Sequence, residues 1–375
     1  MSEPRLPREV MDLDREHVPS TSRIRHHLLT HVDASQARAI APVVDRPGGG
    51  LVLVGTGSVE TMYCLRDGRF AQPVLLDAQR YAGKARLRGT ARFDHRWLSW
   101  QRDGHCEAVL TDSGYVADGD IDALTSILDQ TAALDDPAVA VLPLHRNWLR
   151  RDLPALIDAI NARGLPVAIV MEHDNDPLSA RSSVLGLTRL IRETEPGVAV
   201  LRCDASALGA LAFGAVAAAV GTRSGLRHLF PVRTGGGPAD RTESAFLRPC
   251  LAFYKVGKIA QAVAADPDEP AWVCWCQQCS GRTLDWLATA TDIEVRSHTL
   301  ELLLDLREDL FSLADAADRQ QSWRAKCQNA EFYHAQIEAA GLFWETPPAI
   351  RHWQEMSVDS DGRVRQKARV DGFLD

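Results

Sequence analysis

Short apolar runs alternate with longer amphipathic stretches along most of this sequence. The runs are rich in Val, Ile, Leu and Ala, and they lie at residues 51–55, 73–77, 107–112, 139–144, 166–171, 198–202 and 215–221. The amphipathic stretches between them have helical periodicity, and those at 150–164 and 182–197 end in Gly, as helices often do. Continuous apolar strands separated by helices predict a parallel sheet that is buried on both faces.

This rhythm predicts an α/β fold, with a (β/α)8 TIM-like barrel as the expected architecture and an open doubly wound sheet as the alternative. A chain of 375 residues accommodates one barrel with additions. We expect an N-terminal lead-in over residues 1–48 and a barrel over 49–240, with a flanking helix to about 270. A helical subdomain with a cysteine cluster over 271–350 and a polar tail over 351–375 would follow.

Composition and charge are those of a folded globular protein with an acidic balance. Hydrophobic residues make up 45% and charged residues 25%, and the formal net charge is −8. A protein that coats nucleic acid non-specifically is usually basic, because phosphate contacts dominate that affinity. The N-terminus is charged rather than signal-like, and the most apolar segment, 207–221, is shorter than the roughly 20 residues that span a bilayer. We therefore expect a cytoplasmic protein with no membrane partner.

Three of the eight cysteines, Cys274, Cys276 and Cys279, crowd into one short segment, and His298 follows nineteen residues later. Thiolates and an imidazole at this spacing suit a tetrahedral zinc ion. Four protein ligands leave no open position, so we predict one structural zinc ion per chain. Ordinary thiols or a redox pair are the alternative interpretation.

A second motif, from Thr111 to Gly114, follows an apolar run. Asp112 would lie at the carboxyl end of a barrel strand, where the active sites of barrel enzymes are found. Gly114 would let the backbone approach a ligand closely. Taken alone, an Asp-Ser-Gly segment is more often a turn or a helix cap.

Together, the TDSG segment and the CxCxxC…His cluster resemble the tRNA-guanine transglycosylase superfamily. That superfamily includes queuine- and archaeosine-type enzymes and DNA 7-deazaguanine transglycosylases, and the likeness covers roughly residues 50–310 of a divergent member. It implies a pentosyltransferase that exchanges guanine for a 7-deazaguanine base in tRNA or DNA. An Asp would attack the sugar C1′, Asp112 would handle protons, and Ser113 and Gly114 would contact the base. A homodimer or a heterodimer would also fit the family.

The family's nucleophile has no counterpart at the expected position in this sequence. The matching stretch, 214–223, has Ala219 near the position of that Asp, and alanine cannot attack a sugar. Asp204, which follows the run 198–202, is the best substitute, although it could instead cap the helix that begins near Ser206. Asp77 and Asp174 are further acids at strand ends, each more typical of a turn or a cap.

Basic side chains cluster after the last apolar run, at Arg223, Arg227, His228 and Arg233. Arg matches phosphate geometry, so we predict that this group contacts the backbone of a nucleic acid. A solvated rim with local ion pairs is the alternative.

Three functions stay open at this point. The intact TDSG segment favours a base-exchange enzyme, and Ala219 favours a non-catalytic homologue that acts as a nucleic-acid-binding or partner subunit. The acidic net charge would fit an enzyme that acts on free nucleosides.

Overall fold

The computed structural model describes residues 21–232, 242–358 and 364–365. Its centre is a curled sheet of seven parallel strands. They are β1 His27–Asp33, β2 Leu51–Val54, β3 Val74–Asp77, β4 Ala140–His145, β5 Val167–Glu172, β6 Val198–Cys203 and β7 Ala217–Gly221. The strand order is β3-β2-β1-β7-β6-β5-β4. Because β1 pairs with both β2 and β7, the first and last strands of this series are neighbours, as they are in a barrel.

The ladder of regular strands is open between β3 and β4. The run 107–112, which we expected to be a strand, forms a single parallel bridge from Leu110 to Val139. On its other side, the amide of Val74 donates to the carboxylate of Glu107 at 2.9 Å. Among the described residues, the regular strands therefore form a curled seven-stranded sheet and not a closed eight-stranded barrel.

Residues 27–44, which the sequence interpretation placed in the lead-in, form β1 and helix α1, Ala34–Val44. The strand was missed because Thr30 and His31 interrupt its apolar run, yet both side chains are buried. His31 is accepted in a central strand because Asp77 of β3 provides a hydrogen-bond partner at 3.0 Å.

Helices cover the outer face of the sheet. They are α1, then α2 Ser58–Asp67, α3 His95–Asp103, α4 Ile121–Ala132, α5 Leu153–Asn161, α6 Arg181–Glu193 and α7 Ser206–Ala212. Side chains such as Val32 and Leu53 pack beneath these helices, whereas Leu29, Val52 and Ala219 belong to a separate core on the inner face. The strands are thus buried on both faces, as predicted.

The stretch after residue 242 begins with an antiparallel hairpin, β8 Ser244–Leu247 and β9 Ala252–Lys255. The predicted flanking helix is confirmed only as α8, Val256–Ala265. Pro249 lacks a backbone donor, and Leu251 adopts a positive φ of 48°, so a turn forms where the sequence pattern suggested a continuous helix.

Three further helices follow, α9 Asp292–Phe311, α10 Ala316–Ala339 and α11 Pro348–Gln354, and then the two-residue strands β10 Ser357–Val358 and β11 Val364–Arg365. Helices α10 and α11 lie against α7. A Cβ atom on Gly209 of α7 would come within 2.6 Å of Trp323 and 2.7 Å of Trp353, so only glycine allows this close approach. Among the helices that the structure describes, none combines the length and apolarity needed to cross a bilayer.

Candidate functional site

The four predicted zinc ligands lie together in one buried cluster. The Sγ atoms of Cys274, Cys276 and Cys279 lie 3.7, 3.4 and 3.3 Å from Nδ1 of His298. A tetrahedral zinc ion, with bonds of about 2.3 Å to sulfur and about 2.0–2.1 Å to nitrogen, would hold these atoms about 3.5 Å apart. The cluster therefore has the donor set and the spacing to hold one metal ion.

A tight turn brings the three thiols together. The amides of Cys279 and Ser280 both donate to the carbonyl oxygen of Cys276, at 3.1 and 2.8 Å. Gly281 then adopts a φ of +83°, and its amide donates to Cys274 at 2.9 Å. Hydrogen bonds from the thiols of Cys276 and Cys279 lower the pKa of Cys274, which favours the thiolate form that binds a metal ion.

His298 reaches the cluster from α9, whose start is fixed by a capping box between Thr291 and Glu294. Its Nε2 atom lies 3.1 Å from the carbonyl oxygen of Phe246 on β8. A proton on Nε2 satisfies that carbonyl and leaves the lone pair of Nδ1 for a metal ion. Nε1 of Trp286 donates to Cys279 at 3.4 Å, as an outer contact that orients the thiolate.

Asp112 is buried in an ion pair. Its Oδ2 atom accepts from Nη1 of Arg80, and the amide of Asp94 donates to both carboxylate oxygens, at 3.2 and 3.0 Å. All of these partners come from the segment between β3 and α3. The predicted proton-handling role of Asp112 therefore stays a prediction about a carboxylate that is already engaged.

The rest of the TDSG segment contacts the chain itself. The Ser113 hydroxyl lies 2.8 Å from that of Thr111. A Cβ atom on Gly114 would lie 2.2 Å from the carbonyl oxygen of Arg88. The close approach that Gly114 permits is thus made by the protein's own backbone.

A cavity of about 250 Å³ lies at the carboxyl ends of β5, β6 and β7. Loops after these strands form one wall, and the β8–β9 turn with α10 and α11 forms the other. The polar side chains in the lining are Asn175, Asp176, Arg202, Asp204, Ser206, Ser224, Arg227 and His228. Of the predicted site residues, the structure brings Asp204, Arg227 and His228 together here, whereas Asp112 does not line the cavity.

Two carboxylates share this cavity. Oδ1 of Asp204 accepts from the amide of Ser206 at 2.8 Å, which is the capping role considered above. No hydrogen bond to its Oδ2 is formed by the residues that the structure describes. Oδ1 of Asp176 accepts from the amide of Leu178 at 2.8 Å. Burial, and then the charge of Asp204, raise the pKa of Asp176 to about 7, so one carboxyl of the pair can hold a proton at neutral pH.

Basic groups line the same cavity. The guanidinium of Arg227 lies 3.5 Å from the ring centre of Phe253, its Nε donates to the carbonyl of Gly221 at 3.2 Å, and burial lowers its pKa to about 10. Burial also lowers the pKa of His228 to about 4, with further contributions from neighbouring cationic groups, so its imidazole is neutral at pH 7. Arg202 is 5% exposed, and its Nε has no hydrogen-bond partner.

A buried polar group lies beneath Arg202. Asp77 accepts from His31 at 3.0 Å, from the hydroxyl of Tyr81 at 2.5 Å and from the amide of Gln79 at 2.9 Å. Burial alone would raise the pKa of Asp77, but the hydrogen bond and charge of His31 lower it. The sequence identified Asp77 as a strand-end acid and gave no signal for its partners, which are brought to it by β1 and the loop after β3.

Glu172, a buried carboxylate at the end of β5, is also paired within the protein. It accepts from Nη1 of Arg86 and from the hydroxyl of Tyr115. The guanidinium of Arg86 lies 3.7 Å from the ring centre of Tyr115. Glu172 is thus held by the loop after β3 and by the residue that follows the TDSG segment.

The other two basic residues that the sequence predicted as phosphate contacts are not among the described residues that line the cavity. Arg223 forms a two-point ion pair with Asp33 at the end of β1, at 2.6 and 2.9 Å, which matches the alternative of local ion pairs. Arg233 lies outside the described residues. Ala219 is fully buried within β7, so that strand presents no carboxylate.

No family model matches this sequence, and no curated protein matches it significantly.

Proposed function

We propose that this protein is a nucleobase transglycosylase-like enzyme that exchanges guanine for a 7-deazaguanine base in tRNA or DNA. The observation that carries the proposal is the pair of carboxylates, Asp204 and Asp176, in one cavity at the carboxyl ends of β5 and β6. Exchange at a glycosidic carbon needs one carboxylate as a nucleophile and a second group that gives and takes a proton. The resemblance of the two sequence motifs to the transglycosylases supports the same reaction.

Asp204 has the properties of the nucleophile. Its Oδ1 atom is fixed by the amide of Ser206, which orients the carboxylate and leaves Oδ2 for the substrate. Attack of Oδ2 on C1′ would form a carbon–oxygen bond and break the bond from C1′ to guanine. Asp176, protonated at about pH 7, would supply the proton that the departing base requires.

The second half of the exchange reverses these roles. The ring nitrogen of the incoming base attacks C1′, its proton passes to the carboxylate of Asp176, and the bond from C1′ to Asp204 breaks. Both carboxyl groups then have their starting protonation states. This scheme uses Asp176 in the role that the family resemblance gave to Asp112, because Asp112 is engaged by Arg80.

The finer points of the architecture belong to the same proposal. Segment 107–112 would act as an irregular eighth strand that completes a barrel between β3 and β4. The metal ion of the Cys3His cluster would be zinc in a structural role, since three sulfurs and one nitrogen fill a tetrahedral shell. Zinc would then hold the β8–β9 hairpin to α9, and with it one wall of the cavity.

A base-exchange assay tests the proposal. Purified protein is incubated with labelled guanine in three separate reactions, which contain tRNA, duplex DNA or guanosine as the acceptor. The label retained in each acceptor is then counted. We expect incorporation into one polymer, its loss in Asp204→Asn and Asp176→Asn, and its retention in Asp135→Asn, an exposed loop control. Full activity of Asp204→Asn would remove Asp204 as nucleophile.

A second candidate function is a non-catalytic binding subunit, which the ion pair of Asp112 and the buried Ala219 favour. The same experiment separates the two. A binding subunit would retain tRNA or DNA on a filter without incorporating label, and its binding would survive Asp204→Asn.

A further inference from the structure

Arg202 stands out among the buried charges of the described residues. It is 5% exposed, yet no carboxylate of a described residue lies within ion-pair distance of its guanidinium, and its Nε has no hydrogen-bond partner. A buried polar group without a hydrogen-bond partner is costly, because its desolvation is not offset. The charge of Arg202 acts on the nearby carboxylate of Asp77, but the oxygens of Asp77 accept from His31, Tyr81 and Gln79 and form no direct ion pair with Arg202.

The backbone at Arg202 is held in a conformation that favours this placement. Its φ is +50°, and the pairing of β6 with β7 is irregular between Val200 and Cys203. A positive φ is unfavourable for a long side chain and persists where the surroundings enforce it, often at functional sites. The irregularity places Arg202 in the lining of the cavity, where the guanidinium is also 5.3 Å from the ring centre of Tyr81.

Arg227 lines the same cavity and is also free of a direct carboxylate partner among the described residues. Its Nε is used by the carbonyl of Gly221, and the face of its guanidinium lies on Phe253. Arg202, Arg227 and His228 all line this cavity. Two planar cations in the lining of one cavity match the oxygens of a phosphate group.

We propose that Arg202 and Arg227 form a binding site for the phosphate attached to the sugar whose glycosidic bond is exchanged. The inference rests on the proposed function and assigns the residues that would hold the phosphate of its substrate. The enzyme would recognise a nucleotide unit through this phosphate and would discriminate against a nucleoside or a free base.

The acidic groups in the cavity leave room for such an anion. Burial and the charge of Asp204 raise the pKa of Asp176 to about 7, so this carboxyl can be neutral at neutral pH. A protonated Asp176 reduces the negative charge that an anion would meet in the cavity, and Oδ1 of Asp204 is held by the amide of Ser206. The phosphate would fix the nucleotide so that C1′ lies toward Asp204.

Binding can be measured without turnover. Guanosine, guanosine 5′-monophosphate, inorganic phosphate and a trinucleotide with a central guanosine are titrated into the wild-type protein by calorimetry. We expect a phosphorylated ligand to bind at least tenfold more tightly than guanosine. Preference for the trinucleotide would assign the site to a polymer diester, and preference for the monophosphate would assign it to a free nucleotide. Equal affinity for all ligands would overturn the proposal.

Variants locate the effect. Arg202→Gln and Arg227→Gln should each reduce the phosphate preference by about tenfold or more, which is typical of a charge-assisted hydrogen bond. Arg163→Gln, a surface control paired with Asp129, should leave it unchanged. If Arg202→Gln fails to fold, the proposal is tested by Arg227→Gln and by the comparison of ligands on the wild-type protein. An unchanged preference in folded Arg202→Gln and Arg227→Gln would overturn the assignment.

The two proposals can fail separately. Phosphate preference without base exchange would keep the anion site and reject the transglycosylase function. Base exchange with no preference for a phosphorylated ligand would keep the transglycosylase function and reject the anion site.

Discussion

Replacing Asp176 by Asn should stabilise the protein, and it should do so only at neutral and alkaline pH. In the folded state, burial and the charge of Asp204 raise the pKa of Asp176 to about 7 from an ordinary value of 3.8. The unfolded chain therefore ionises this group at a lower pH than the folded chain. The contribution of protonated Asp176 to the free energy of unfolding is fully present below about pH 4. It is lost as the pH rises toward 7, and above that pH the wild type stays less stable.

The size of the effect follows from the pKa difference. About three pKa units, at about 1.36 kcal/mol each, correspond to about 4 kcal/mol. Water that enters the cavity weakens the interaction, so we expect about 2–4 kcal/mol at pH 8. Asn has nearly the shape of the protonated acid and does not ionise, so Asp176→Asn avoids this loss.

Urea unfolding at pH 4, 6 and 8 measures the effect. The free energy of unfolding of Asp176→Asn should equal that of the wild type near pH 4 and should be larger than that of the wild type at pH 8. Asp135→Asn, at an exposed carboxylate, should show no such trend. Asp204→Asn removes the like charge and should shift the wild-type transition to lower pH. A pH-independent gain, or a loss at pH 8, would refute the reasoning.

Three further predictions concern the framework of the site. Cys279→Ser should lower bound metal below one ion per chain by elemental analysis and reduce Tm, and a chelator should have the same effect on the wild type. Gly114→Ala should cost about 1–3 kcal/mol in urea unfolding, because its Cβ would meet the backbone of Arg88, whereas Gly257→Ala, with open space around it in α8, should gain about 0.4–1 kcal/mol. Thr291→Ala should cost about 1 kcal/mol by the same assay, through loss of the cap of α9; an unchanged stability would argue against the capping box.

Much of the sheet was predictable because its strands are continuous apolar runs. Strands β2 to β7 all lie within predicted runs to within a residue or two. Strand β1 was not predicted, since the pairing of His31 with Asp77 joins residues that are far apart in the sequence. The β8–β9 hairpin was mistaken for part of a helix because the turn at Pro249 divides two strands of only four residues each.

The metal cluster and the cavity differ in how locally they are encoded. Three of the four cluster ligands lie in one turn, so their spacing alone predicted the site. The cavity depends on loops after three strands, and Arg202 occupies an apolar run where it looked like an ordinary strand residue. Its positive φ arises from the irregular pairing of β6, which only the assembled sheet reveals.

The walls of the cavity extend from Met171 on β5 to Trp353 on α11. During synthesis, the last strand of the sheet, β7, leaves the ribosome more than a hundred residues before α11 does. At about 5–20 residues per second, that interval is on the order of ten seconds. A nascent chain could therefore assemble its sheet while still unable to enclose a ligand, and substrate would stabilise the chain only after α11 has been made.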